Sequence, residues 1–249
     1  LVATTAEVVF TGPFGAHPRN RWTAPQLDPL VAEIRRDDPL KAALATLKWH
    51  FLTTAETLVH GDLHTGSVMV ARDPARDDLG PRIFDAEWAF YGPAAFDVGV
   101  LMGHLLLAAC AQPGLERRRG ERGAVAAFCR AAATTFWRVY RDRRLALWDD
   151  HAEDPLVPHR VLGDRGARRR WREARLREDL VLALGFAGAE MLRRLVGISH
   201  VEDFATITTA DRRAACETTA LRLACRLVTS APDLVGDAEG GRPDVELAP

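Results

Sequence analysis

A polar loop enclosed by two very short apolar runs limits this chain more than any other feature. Between Leu58-Val59 and Val68-Met69-Val70 stand His60, Asp62, His64 and Ser67, punctuated by Gly61 and Gly66. Apolar runs this short, bounded by polar residues and glycines, read as strands, and the glycines mark where the backbone turns sharply. The unit is strand, loop, strand, with its chemically able groups at strand ends, where binding and catalytic side chains concentrate. A second polar pair, Asp85 and Glu87, follows Ile83-Phe84, a further short strand.

Helical patterns surround this small sheet. Leu27 to Arg36 is a short helix, and Asp38 with Pro39 caps and opens the next, whose apolar face carries Leu40, Leu44, Leu47 and Phe51 through about Ala55. Residues 1–26 hold too much glycine and proline for a long helix, and Thr5 to Phe10 reads as a brief strand or extended arm. Arg72 to Pro81 is a charged turn. Beyond Pro93 the pattern is helical throughout. Phe96 to Ala111 is apolar nearly all round, and Gln112 to Gly120 breaks it. Glu121 to Arg143 sets Phe128, Ala132, Phe136 and Tyr140 in register, and Leu145 to Arg170 is irregular. Arg172 to Ile198 is weakened near Gly185 and Gly188, and Ala210 to Thr229 is the last helix. Residues 236–249 read as a flexible tail. The class is α+β, mostly helical with a small β-hairpin sheet that carries the polar loops. No glycine fingerprint opens a βαβ unit, which argues against a dinucleotide fold.

Composition narrows the partners. A formal charge of -1 offers no bulk attraction for nucleic acid or anionic membranes. Only Lys41 and Lys48 are lysines among the 33 basic residues, and the Arg168-Arg169-Arg170 run, without interleaved aromatics, is a solvated face. The four cysteines (Cys110, Cys129, Cys216, Cys225) form no CxxC pair and read as free thiols in a reducing compartment. No basic, apolar leader opens the chain, and no uninterrupted apolar run reaches 18 residues. The expectation is a cytoplasmic protein. The chain opens on Leu1 rather than methionine, as a piece of a longer chain would.

The two polar clusters divide one kind of labour. In phosphoryl transfer an enzyme mainly positions groups and neutralises charge, and an aspartate orients or accepts the alcohol proton. Asp62 fits that role. His60 would brace the loop through the backbone or the second acidic cluster, and the Ser67 oxygen would support the loop or a metal's coordination sphere. Asp85 and Glu87, two apart on an extended backbone, would share one face. Two such carboxylates suit Mg²⁺, which prefers hard oxygen ligands. A metallohydrolase with His60, Asp62 and His64 as ligands would need further histidines in strand-end loops. His104, His151, His159 and His200 instead fall in helical or irregular contexts.

The motifs His60-Gly-Asp-Leu-His-Thr-Gly-Ser67, Asp85-Ala-Glu-Trp-Ala-Phe-Tyr-Gly-Pro93 and Phe96-Asp-Val-Gly99 resemble the methylthioribose kinase family. That family lies within the protein-kinase-like, aminoglycoside-phosphotransferase-like fold. Asn20-Arg21-Trp22, Phe51-Leu-Thr-Thr-Ala-Glu56 and Glu190-Met-Leu-Arg-Arg-Leu-Val-Gly197 extend the likeness over most of residues 8–230. Related small-molecule kinases usually carry asparagine where Ser67 stands and a plain aspartate motif in place of Asp-x-Glu. The resemblance implies ATP-dependent phosphorylation of the 1-hydroxyl of S-methyl-5-thioribose in methionine salvage. Asp62 matches the catalytic aspartate facing the sugar, Asp85 and Glu87 the Mg²⁺-binding pair, and Arg193 and Arg194 the paired arginines near the substrate and the transferring phosphate. It implies a homodimer as well. Trp88 and Ala86 depart from the family's usual phenylalanine and proline without touching a ligand. The family's glycine-rich nucleotide-covering loop and phosphate-holding lysine have no counterpart before residue 58. Residues 1–235 therefore look like the C-terminal lobe, with the N-terminal ATP-binding lobe absent. Two other readings stay open: a kinase for another small alcohol (a sugar, choline, homoserine or an aminoglycoside), and a non-catalytic truncated lobe.

Overall fold

The computed structural model describes residues 1–73, 80–150, 161–238, 242–245 and 247. The chain starts with helix α1 (Val2–Ala6), which runs on as a wider π-turn over Glu7–Thr11 and a 3-10 turn over Gly12–Phe14. This corrects the expected strand or arm over Thr5 to Phe10. Ala6, Val9 and Phe10 recur at helical spacing and are buried, with the Phe10 ring 5.5 Å from Phe51 and 6.0 Å from Phe186. Helix α2 covers Asp28–Arg36, and α3 covers Asp38–Thr53. The cap of α3 is Asp37, one residue before the expected one. Its carboxylate accepts from the Leu40 N–H, which puts Asp38 and Pro39 in the first turn. Leu40, Leu44, Leu47 and Phe51 are its buried face, as the spacing requires.

Four short strands follow. β1 (Thr57–Val59) pairs antiparallel with β4 (Phe90–Gly92), and between them β2 (Val68–Met69) pairs with β3 (Arg82–Ile83). The sheet is thus two separate ladders, and β4 has no antecedent in the sequence reading. Residues 74–79 of the expected charged turn lie outside the described residues.

The remaining core is helical. α4 (Ala94–Leu115) is long and apolar enough to cross a membrane by composition alone, yet 78% of its apolar window is buried in the protein. It packs against α5 (Gly123–Asp150), α6 (Arg165–Val196) and, after the short α7 (Glu202–Ala205), α8 (Ala210–Thr229). The break expected over Gln112 to Gly120 begins only after Leu115. Pro113 lies inside the last turn of α4, where it removes one N–H donor just before the helix ends, and Gly114 leaves room for Ile207 and Cys216. On α5 the buried stripe is Ala126, Cys129, Ala133 and Trp137, offset by one residue from the expected one, and Phe128 is 70% exposed. Small residues let α5 approach α4 closely, so fit rather than size selects the face.

α6 does not weaken at its glycines. A Cβ at Gly188 would lie 2.5 Å from the Ala224 carbonyl of α8, and one at Gly99 of α4 would lie 2.5 Å from the Ala183 carbonyl of α6. The glycines are contact points between helices. Beyond α8, α9 (Ala231–Leu234) leads into β5 (Val235–Ala238), which pairs with β6 (Arg242–Val245). The stretch expected as a loose tail therefore holds a hairpin against α6 in its described part, with Val245 and Leu247 buried. All four cysteines are free thiols.

Candidate active site

The loop after β1 is shaped by one carboxylate. Asp97, in the first turn of α4, accepts the N–H groups of His60 at 2.6 Å and Gly61 at 3.0 Å. Burial pushes the Asp97 pKa up, and these two bonds oppose that shift. Gly61 has φ +84°, and a Cβ there would fall 2.2 Å from the Trp88 carbonyl, so no side chain fits. The backbone then delivers Asp62. Its N–H donates to His60 Nδ1 at 3.3 Å, and His60 Nε2 meets the Phe84 carbonyl at 2.8 Å. With Nδ1 accepting, the ring proton sits on Nε2 and donates to Phe84. His60 thus clamps the Asp62 loop to the strand end that precedes Asp85, the bracing role expected of it.

The far side of the loop is equally constrained. His64 Nδ1 caps the 3-10 turn Thr65–Ser67 by accepting the Gly66 N–H at 3.0 Å. Ser67 is buried, and its hydroxyl donates to the Asp62 carbonyl at 3.4 Å, so its oxygen supports the loop. Burial lowers the His64 pKa while the nearby Asp62 charge pulls it the other way.

Arg193 and Arg194, some 130 residues further on, both reach Asp62. Their Nη2 atoms lie 3.2 Å and 2.9 Å from Asp62 Oδ1. Neighbouring helical residues point apart, and the pair converges because the buried end of α6 abuts the loop. Glu190, one turn earlier, accepts from Arg193 Nε at 2.8 Å and from Arg194 Nε at 2.6 Å, and Arg194 Nη1 also donates to the Ser199 carbonyl. A cavity of about 320 Å³ opens beside this cluster. Asp62, Glu190 and Arg193, with Arg19 and Ser199, form part of its polar wall, and Val8, Phe96 and Val100 part of its apolar one.

Asp85 and Glu87 take a different form from the one expected. Asp85 has φ +69° and leads into a turn closed by the Ala89 N–H on the Ala86 carbonyl at 3.1 Å, so the two carboxylates do not sit on an extended strand. Both are exposed, and neither pairs with a cation among the described residues. Among those residues no three His, Cys, Asp or Glu side chains cluster closely enough to hold a metal by themselves. Exposed carboxylates are the hard-oxygen type of ligand that Mg²⁺ takes, one or two at a time, together with water and substrate phosphates. Both lysines lie on α3, where Lys41 pairs with Asp38 and Lys48 donates to Thr11 Oγ1.

Sequence reasoning assigned no role to Glu190, Asp97, His104 or His64. A glutamate three and four residues before paired arginines, inside the otherwise apolar Gly185–Val196 stretch, was the available signal for the first. An aspartate in the first turn after Gly92-Pro93 was the signal for Asp97.

Comparison with known proteins adds the chain's relatives to this geometry. Residues 10–133 match the phosphotransferase enzyme family. The methylthioribose kinase of Yersinia pestis (strain Pestoides F) is 37% identical over 243 residues, 97% of this chain and 54% of that protein. That of Pectobacterium carotovorum subsp. carotovorum (strain PC1) is 37% identical over 234 residues, 94% of this chain and 54% of that protein. Methylthioribose kinase 1 of Oryza sativa subsp. japonica is 35% identical over 226 residues, 88% and 50% of the two. The chain spans about half the length of these relatives. The chain thus has the mostly helical, protein-kinase-like phosphotransferase fold, and its residues 10–133 belong to the phosphotransferase enzyme family.

Proposed function

We propose that the protein containing this chain transfers the γ-phosphoryl group of ATP to the 1-hydroxyl of S-methyl-5-thioribose, and that these residues form its substrate-side lobe. The observation that carries the reading is the convergence of Arg193 and Arg194 on Asp62 at the cavity mouth. Asp62 orients the sugar hydroxyl and takes up its proton as the new P–O bond forms. Arg193 and Arg194 hold that carboxylate and bring positive charge to where the transferring phosphoryl group gathers negative charge. Asp85 and Glu87 would hold Mg²⁺, which when bound neutralises the nucleotide phosphates. Ser67 acts on the nucleotide side only through the loop it supports. The apolar wall formed by Val8, Phe96 and Val100 suits the thioether end of the sugar. We place the enzyme in the cytoplasm, as a homodimer.

The test is ADP release by the complete gene product, supplied with ATP, Mg²⁺ and a panel of small alcohols. Methylthioribose should be the preferred acceptor, and Asp62→Asn should lower kcat by roughly 10³-fold or more. Preference for choline, homoserine or an aminoglycoside would reject the substrate assignment. Full activity in the Asp62→Asn variant would reject the site.

A further inference from the structure

Glu190 is the one fully buried carboxylate at this site, and the phosphotransfer reading does not by itself require it. It is 0% exposed on a stretch of α6 that is otherwise apolar up to the arginines. An unpaired carboxylate there would be strongly disfavoured. It accepts four hydrogen bonds from three residues. Two come from Arg193 (Nε to Oε2 at 2.8 Å, Nη2 to Oε1 at 2.6 Å), and one comes from Arg194 (Nε to Oε1 at 2.6 Å). The fourth joins His104 Nε2 to Oε1 at 3.2 Å. Burial pushes the Glu190 pKa up, but Arg193, Arg194 and the bond from His104 hold it well below the usual carboxylate range.

Each of these partners leads back to Asp62. The two arginines contact Asp62 Oδ1 directly. The His104 ring packs against His64, with centroids 5.3 Å apart, and His64 Nε2 lies 3.8 Å from Asp62 Oδ2. The result is a closed circuit, with Asp62 at the open end and Glu190 at the buried end. Two adjacent guanidinium groups repel, and both are about nine-tenths buried. A carboxylate behind them and another in front cancel that repulsion and fix their spacing. A purely structural ion pair would need one arginine and would not have to point at the loop.

We infer that Glu190, backed by His104, is a positioning residue for phosphoryl transfer, holding Arg193 and Arg194 in the fork that grips Asp62 and faces the cavity. The inference rests on the phosphotransfer reading. Its test uses the complete gene product and the variants Glu190→Gln, Glu190→Asp, Arg194→Ala and the Glu190→Gln/Arg194→Ala pair. Glu190→Gln should lower kcat roughly 10- to 100-fold with the KM for ATP unchanged. Glu190→Asp should recover part of the loss. The double variant should be little slower than Arg194→Ala, because both changes act through one fork. A wild-type kcat in Glu190→Gln, or losses that multiply independently in the double variant, would overturn the inference. If Glu190→Gln does not fold, His104→Gln reads the same circuit. It should lower kcat severalfold at constant KM for ATP, and an unchanged kcat overturns the inference. If the unmodified protein phosphorylates no acceptor, the functional reading fails. Urea midpoints of the single and double variants then still report on the circuit, with coupled shifts supporting it and additive shifts overturning it.

Discussion

The loop that carries Asp62 depends on atoms that leave no room for substitution. At Gly61 the backbone is left-handed and passes under the Trp88 carbonyl, and Asp97 holds the N–H groups of His60 and Gly61. A methyl group at residue 61 must displace either the Trp88 backbone or the whole turn. We expect Gly61→Ala to cost about 1–3 kcal/mol of stability. We also expect it to move Asp62 out of the arginine fork and lower kcat at least about 100-fold, since small misplacements are costly in catalysis. Parallel urea denaturation and ADP-release assays check both halves, and wild-type turnover in the variant would contradict this account of the loop. Most residues of this site were legible in the sequence because the motif places His60, Asp62 and Ser67 within one short loop. The backing carboxylates were not, because Asp97 takes its meaning from a loop dozens of residues earlier, and Glu190 from the arginines' turn onto Asp62 and from His104 on another helix.

α6 shows how one element serves two purposes. Its second half is buried all round, fitted to α4 and α8 through glycines, and its terminus delivers Arg193 and Arg194. That burial has a cost at Asp179, whose pKa is pushed up from the ordinary 3.8 to about 6, chiefly by desolvation, with Arg144 pulling it down. The folded state therefore binds the proton more tightly than the unfolded chain. Stability falls as pH rises from about 4 to about 6 and stays lower above that window. Asp179→Asn should remove this slope and stabilise the protein at pH 7 by roughly 1–3 kcal/mol. Arg144 keeps its stacking on Tyr140 and Trp148 in that variant. Thermal unfolding at pH 4, 6 and 7.5 checks the sign, and equal or greater loss at pH 7.5 in the variant would refute it. The helical period revealed α6, but its glycines looked like weak points because the sequence does not show which backbones pass them.

At the scale of the whole molecule, the proposed function assigns the described residues to one side of a phosphotransfer cleft. Leu58 and Tyr91, directly opposed in the β1–β4 ladder, are exposed, as are Met69 and Ile83 of the other ladder. The carboxylates of Asp85 and Glu87 open on the same loops. No glycine-rich hairpin precedes residue 58 and both lysines lie on α3, so the 249-residue chain alone should release ADP at no more than background with methylthioribose and ATP. Turnover well above that background from this chain would contradict the assignment of these residues to the substrate side.

The sequence by itself determined the class of fold, most of the helices, the polar loop and the pair of carboxylates after it. These follow from periodicity, from glycine and proline, and from residue types close together in the chain. Only the tertiary structure decided which groups face one another. It brought Arg193 and Arg194 onto Asp62, and buried Glu190 behind them. It turned Asp85 out of the extended conformation, and paired β1 with a strand that local pattern did not reveal. Contacts between distant segments depend on how helices pack and where backbones come close, and no local pattern of residues encodes that.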